Sequence, residues 1–191
     1  MKKRILLIAA IALCFSILTG GTLAYFSALD VARNVITSGG VEIRLIEKHL
    51  VDGVLQDYPG EPIRVMPAAS VSKIVSVENA DEPVWVRMNY TMTFYDSEGE
   101  KMDVPAEELK KLVIIEPDSS SWTEKDGWWY YNEAVKTGKT TEPLFEEVRF
   151  SGPDMGNEYQ RSTVVIDVNA QAVQQANNGS NVTEALGWPA N

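Results

Sequence analysis

Val84-Trp85-Val86-Arg87-Met88-Asn89-Tyr90-Thr91-Met92-Thr93-Phe94-Tyr95 is the most regular stretch of the chain. Val84, Val86, Met88, Tyr90, Met92 and Phe94 fall on one parity, and Trp85, Arg87, Asn89, Thr91, Thr93 and Tyr95 on the other. Side chains of an extended strand point alternately to opposite faces, so the spacing predicts a long strand with one apolar face and one mixed face. β-Branched and aromatic residues dominate it, as a pleated, half-buried surface favours.

The same period recurs on both sides. Val41-Glu42-Ile43-Arg44-Leu45 alternates apolar and charged residues, and Asp52-Gly53 offers a hairpin turn before Val54-Leu55. Val71, Val75 and Val77, with Ser70, Ser72, Ser76 and Glu78 between them, repeat the pattern and stop at the polar turn Asn79 to Pro83. Val113 to Ile115, Trp128 to Tyr131, Leu144 to Phe150 and Ser162 to Ala172 are further strand segments, and Val164, Ile166, Val168 and Ala170 share a face in the last. Pro105 to Leu112 has proline in the first turn, early acids and late lysines, which predicts a short helix. About eight short strands with one or two short helices predict a mostly β fold, because sheets apolar on one face bury it against each other. The expected architecture is an antiparallel, jelly-roll-like or Ig-like β-sandwich.

The start of the chain reads differently. Met1-Lys2-Lys3-Arg4 is a positive cap, Ile5 to Leu18 carries no charge, and Thr19-Gly20-Gly21-Thr22-Leu23-Ala24 follows. This predicts a secretory signal peptide over residues 1–24, cut between Ala24 and Tyr25. The uncharged span from Ile5 to Leu29 is also long enough to cross a bilayer as a retained helical anchor, but the glycine pair in its middle favours cleavage. Residues 25–40 are then a mature N-terminal segment, either a first strand or a donor strand, and 41–191 the sandwich domain. Cleavage takes Lys+Arg from 17 to 14 against 27 Asp+Glu, moving the net charge from −10 to −13. It also removes Cys14, the single cysteine, so disulfides are excluded from the mature chain.

With 45% hydrophobic and 23% charged residues the chain has the balance of a globular protein. Its acidity opposes nucleic-acid binding, which needs a lysine and arginine footprint. His49 is the only histidine, so no HExxH zinc array exists, and there is no G-x-S-x-G nucleophile elbow. No catalytic residue, metal ligand or cofactor is therefore assigned. Asp96, Glu98, Glu100 and Asp103 cluster oxygens without EF-hand spacing and read as a solvated hairpin tip. Trp122, Trp128 and Tyr130 are candidate ligand-facing aromatics for a polysaccharide or host ligand. In a strand Trp128 and Tyr130 face opposite to Trp129 and Tyr131, so one pair can fill the core.

Gly20-Gly21-Thr22-Leu23-Ala24-Tyr25-Phe26 and Asn34-Val35-Ile36-Thr37-Ser38-Gly39-Gly40-Val41-Glu42-Ile43 resemble the leader and first strand of the TasA/camelysin family of exported Gram-positive proteins. Val71-Ser72-Lys73, Val77-Glu78-Asn79, Val84-Trp85-Val86-Arg87, Asp126 to Asn132, Gly138 to Phe145, Ala172 to Asn178 and Leu186-Gly187-Trp188 look like the alternate signal-mediated exported branch. The resemblance covers nearly the whole chain, and the order of the blocks carries it. It implies a jelly-roll-like sandwich, a leader handled by an ER-type signal peptidase, and self-association or assembly with related subunits into extracellular biofilm fibres. The metallopeptidase activity attached to camelysin finds no zinc-ligand pattern here, and Trp188-Pro189-Ala190-Asn191 is not an LPxTG-type sorting signal.

The expected product is a secreted, non-enzymatic structural protein of the cell surface or biofilm matrix, touching membrane only through an uncleaved leader. An extracellular binding module is the alternative. Fibre formation would use an open sheet edge that accepts an extended segment from a neighbour. Tyr25, Phe26, Val31, Val35 and Ile36 are the expected apolar anchors of that segment. The competing expectation is that the segment pairs inside its own subunit.

Overall fold

Asn34–Ser38 (β1) opens the computed structural model, which describes residues 41–159 and 161–189 together with the backbone of 34–38. In chain order there follow β2 (Ile43–Val51), β3 (Val54–Asp57), β4 (Ile63–Arg64), β5 (Ser70–Asn79), β6 (Val84–Tyr95), α1 (Ala106–Leu112), β7 (Val113–Ile115), β8 (Trp122–Lys125), β9 (Trp128–Tyr131), β10 (Phe145–Phe150) and β11 (Thr163–Gln174). The strands form two sheets. One runs β1-β11-β6-β9-β8, with β4 also on β11; the other runs β3-β2-β5-β10-β7.

The predicted parity builds the core. Val84, Val86, Met88 and Phe94 of β6 are buried beside Val164, Ile166, Val168, Ala170 and Ala172 of the adjacent β11, with Val86 opposite Ala172, Met88 opposite Ala170 and Phe94 opposite Val164. The second sheet answers with Ile43, Leu45, Val75, Val77, Val148 and Phe150. Fully burying each such side chain stabilises the fold by roughly 1.5–3 kcal/mol, which makes this interior the main source of stability in a chain without disulfides. The fold is the expected β-sandwich with one short α-helix. Asp52 (φ 51°) and Gly53 (φ 77°) turn β2 into β3 as expected, and Asp126 (φ 54°) and Gly127 (φ 77°) do the same between β8 and β9. Two successive left-handed residues match the twist of a two-residue hairpin, which is why each turn ends in glycine.

One pairing departs from the antiparallel expectation. β1 lies parallel to β11, with Asn34 opposite Asn169 and Ser38 opposite Val173. Periodicity sets which face a strand buries and leaves its neighbour and direction open.

Candidate functional site

β11 is held differently along its two edges. On one side β6 pairs with it throughout, from Thr163 opposite Tyr95 to Gln174 opposite Val84. On the other, β4 covers Thr163 and Val164, and β1 covers Asn169 to Val173. Between them Val165 to Val168 have no strand partner on that side among the described residues. Of the expected assembly residues, Val35 and Ile36 stand opposite Ala170 and Gln171. Tyr25, Phe26 and Val31, and the cleavage pair Ala24 and Tyr25, lie outside the described residues. For Asn34–Ser38 the in-subunit pairing is the one the structure contains.

The three aromatics expected to face a ligand are all buried, which corrects that expectation. Trp122 is 1% exposed and packs in the main core, with its indole N–H donating to the Glu142 carbonyl at 3.2 Å. Trp128 and Tyr130 lie on the outer face of the first sheet, yet they are 6% and 7% exposed. With Trp85, Val173, Val182 and Ala185 they form a second apolar cluster, against which Ala134 and Trp188 pack. The chain after β11 provides the cover. The Trp85 indole N–H donates to the Asn178 carbonyl at 2.9 Å, and the Asn178 side chain bonds the backbone of Gln174 and Leu186.

Arg87 threads this cluster. Its guanidinium lies 4.2 Å from the Trp128 ring centroid and 4.7 Å from that of Trp188. Nε and Nη2 donate to Gln171 Oε1 at 2.9 and 2.6 Å, and Nη1 donates to the Tyr130 hydroxyl at 3.1 Å. A delocalised, weakly hydrated cation between aromatic faces is the arrangement arginine makes best. No strand period announces it, because its cover is an irregular segment with a single turn of 3-10 helix at Val182–Glu184.

A second polar group sits inside the sandwich. Glu47 and Lys73 stand on the inward parity of β2 and β5, and Lys73 Nζ donates to Glu47 Oε1 at 2.6 Å with side-chain exposures of 2% and 1%. The ammonium lies 4.0 Å from the centroid of Tyr58, whose hydroxyl donates to the Glu61 carbonyl. Burial first, then the charges of Glu47 and Glu61, push the Tyr58 phenol up to about 12. Asp167 in β11 is also pushed up, by burial and then by Glu47, with Lys73 opposing. His49 makes an edge-on contact with Tyr58 at 5.5 Å between centroids. The signal in sequence was a lysine and a glutamate at positions where their neighbours Val75 and Leu45 face inward.

The acidic loop is organised by its own backbone: Asp96 Oδ1 accepts from the amides of Glu98 and Glu100. Among the described residues no three His, Cys, Asp or Glu side chains are gathered as a metal site. An open groove of about 660 Å³ runs over the outer face of β2 and β5, lined in part by Arg44, Ile46, Lys48, Leu55, Ile74 and Glu78. The class that fold and edge define is a two-sheet β-sandwich whose N-terminal strand lies parallel on its last strand. No family model, curated protein or solved structure matches the chain.

Proposed function

We propose that the chain is a secreted, non-enzymatic structural protein of the bacterial cell surface or biofilm matrix, as its resemblance to the TasA/camelysin family implies, and that its copies assemble by exchanging the N-terminal strand. The observation that carries this reading is the position of β1. It is a five-residue edge strand reached from the domain through Gly39-Gly40, and its backbone pairs with β11 alone among the described strands. Hydrogen bonds of this kind are the same whether the strand comes from its own subunit or from a neighbour, so exchange conserves them while joining subunits. The stretch Val165 to Val168 continues that edge toward the N-terminal side of β1, where an entering segment would find further backbone groups to pair. Burial of Trp122, Trp128 and Tyr130 leaves the binding-module alternative without its expected surface.

The test compares the purified chain starting at Tyr25 with one starting at Val41, by light scattering and negative-stain microscopy in one buffer. Polymers from the longer chain alone are the expected result. Monomers from both would refute strand exchange as the assembly mechanism.

A further inference from the structure

Among the described residues, Glu47 and Lys73 are a carboxyl and an amine in direct contact with both side chains almost wholly removed from solvent. Each ion of such a pair has lost its hydration, and their attraction offsets that cost only in part. Transfer of one proton from the ammonium to the carboxylate turns the pair into an amine and a carboxylic acid. Those are the two reactants of amide formation.

We propose that Lys73 and Glu47 condense into an intramolecular amide, a covalent cross-link between β5 and β2. The Lys73 nitrogen lone pair attacks Cδ of Glu47 and the C–N bond forms. The bond from Cδ to the hydroxyl breaks, and the hydroxyl leaves with one amine proton as water. One amine and one acid are consumed, one amide and one water are made, and no oxidant, reductant or activating group takes part.

Two features of the site favour the step. The Nζ to Oε1 distance of 2.6 Å holds nucleophile and acyl group together, and such fixed contact can substitute for effective concentrations of roughly 10⁵–10⁸ M. The pair joins two neighbouring strands of one sheet, whose ladder runs from Ile43 opposite Asn79 through Glu47 opposite Val75 to Lys48 opposite Ile74 and so ends beside Lys73. A cross-link here would also give covalent reinforcement to a chain whose single cysteine lies in its first segment.

The experiment is peptide mapping of the full chain, purified, denatured and digested with trypsin. The expected product is Leu45–Lys48 joined to Val65–Arg87 through an uncut Lys73, lighter than the two peptides together by one water, about 18 Da. Free Leu45–Lys48 together with cleavage after Lys73 overturns the proposal. Loss of water mapped to Lys73 and Asp167 overturns the assignment of Glu47 as acyl partner. In the variant Lys73→Arg the intact mass is expected to rise to the value of its sequence. The same deficit persisting there places the dehydration elsewhere, at an Asp-Gly turn for example, and also overturns the proposal; this reading needs only the denatured chain.

Discussion

Replacing Arg87 with alanine tests the second apolar cluster directly. The substitution removes two donated hydrogen bonds to Gln171 Oε1, one to the Tyr130 hydroxyl, and the stacking on Trp128 and Trp188. A hydrogen bond from a charged donor contributes about 1.5–3 kcal/mol, and Gln171, only 2% exposed, would keep an acceptor with no donor. Each cation–π contact adds about 0.5–1 kcal/mol or more as desolvation increases. These terms share one side chain and do not add fully, so the expected loss is about 3 kcal/mol, or about 10 °C in Tm for a domain of this size. Urea unfolding followed by tryptophan fluorescence measures it. A loss below about 1 kcal/mol would refute the view that Arg87 fastens the C-terminal segment. The double variant with Trp188→Ala should show a coupling of about 1 kcal/mol, the signature of residues that act through one another.

Two further outcomes are expected. Gly127→Ala meets no atom within 4 Å of the added Cβ, so its cost is that of a left-handed backbone alone, about 1–2 kcal/mol, read from the shift of the urea midpoint at unchanged slope. Tyr58 and Tyr159 are both pushed up to about 12, with burial the largest cause for each. In the unfolded chain both phenols ionise near pH 10, so their contribution is complete below about pH 10 and is lost as pH rises toward 12. Urea midpoints measured through that window should fall, and fall less in Tyr58→Phe; a flat profile to about pH 11.5 would contradict the folded-state assignment.

Much of the sandwich was legible because a strand writes its burial into alternate positions. Val84–Tyr95 is a strand over its whole predicted length, and Thr163–Gln174 begins one residue after the predicted segment and ends two residues beyond it. The helix begins at Ala106, with Pro105 capping it and offering its carbonyl to Glu108 and Leu109. Trp122–Lys125 escaped because a four-residue strand with one buried side chain has no period to read. On the mixed face of β6, Trp85 and Arg87 lie under the C-terminal segment, whose irregular backbone gives no periodic sign that it covers anything. Lys73 kept the inward parity of β5 with the wrong polarity for a core, and such a break in an apolar register is the mark of a buried polar site.

The parallel pairing of β1 with β11 also sets an order in time. Synthesis proceeds from the N-terminus, so Asn34–Ser38 is made about 130 residues before the strand it pairs with. Closing that contact within one chain waits for almost the whole polypeptide. Each new molecule therefore carries an unmatched first strand until Thr163–Gln174 has been made.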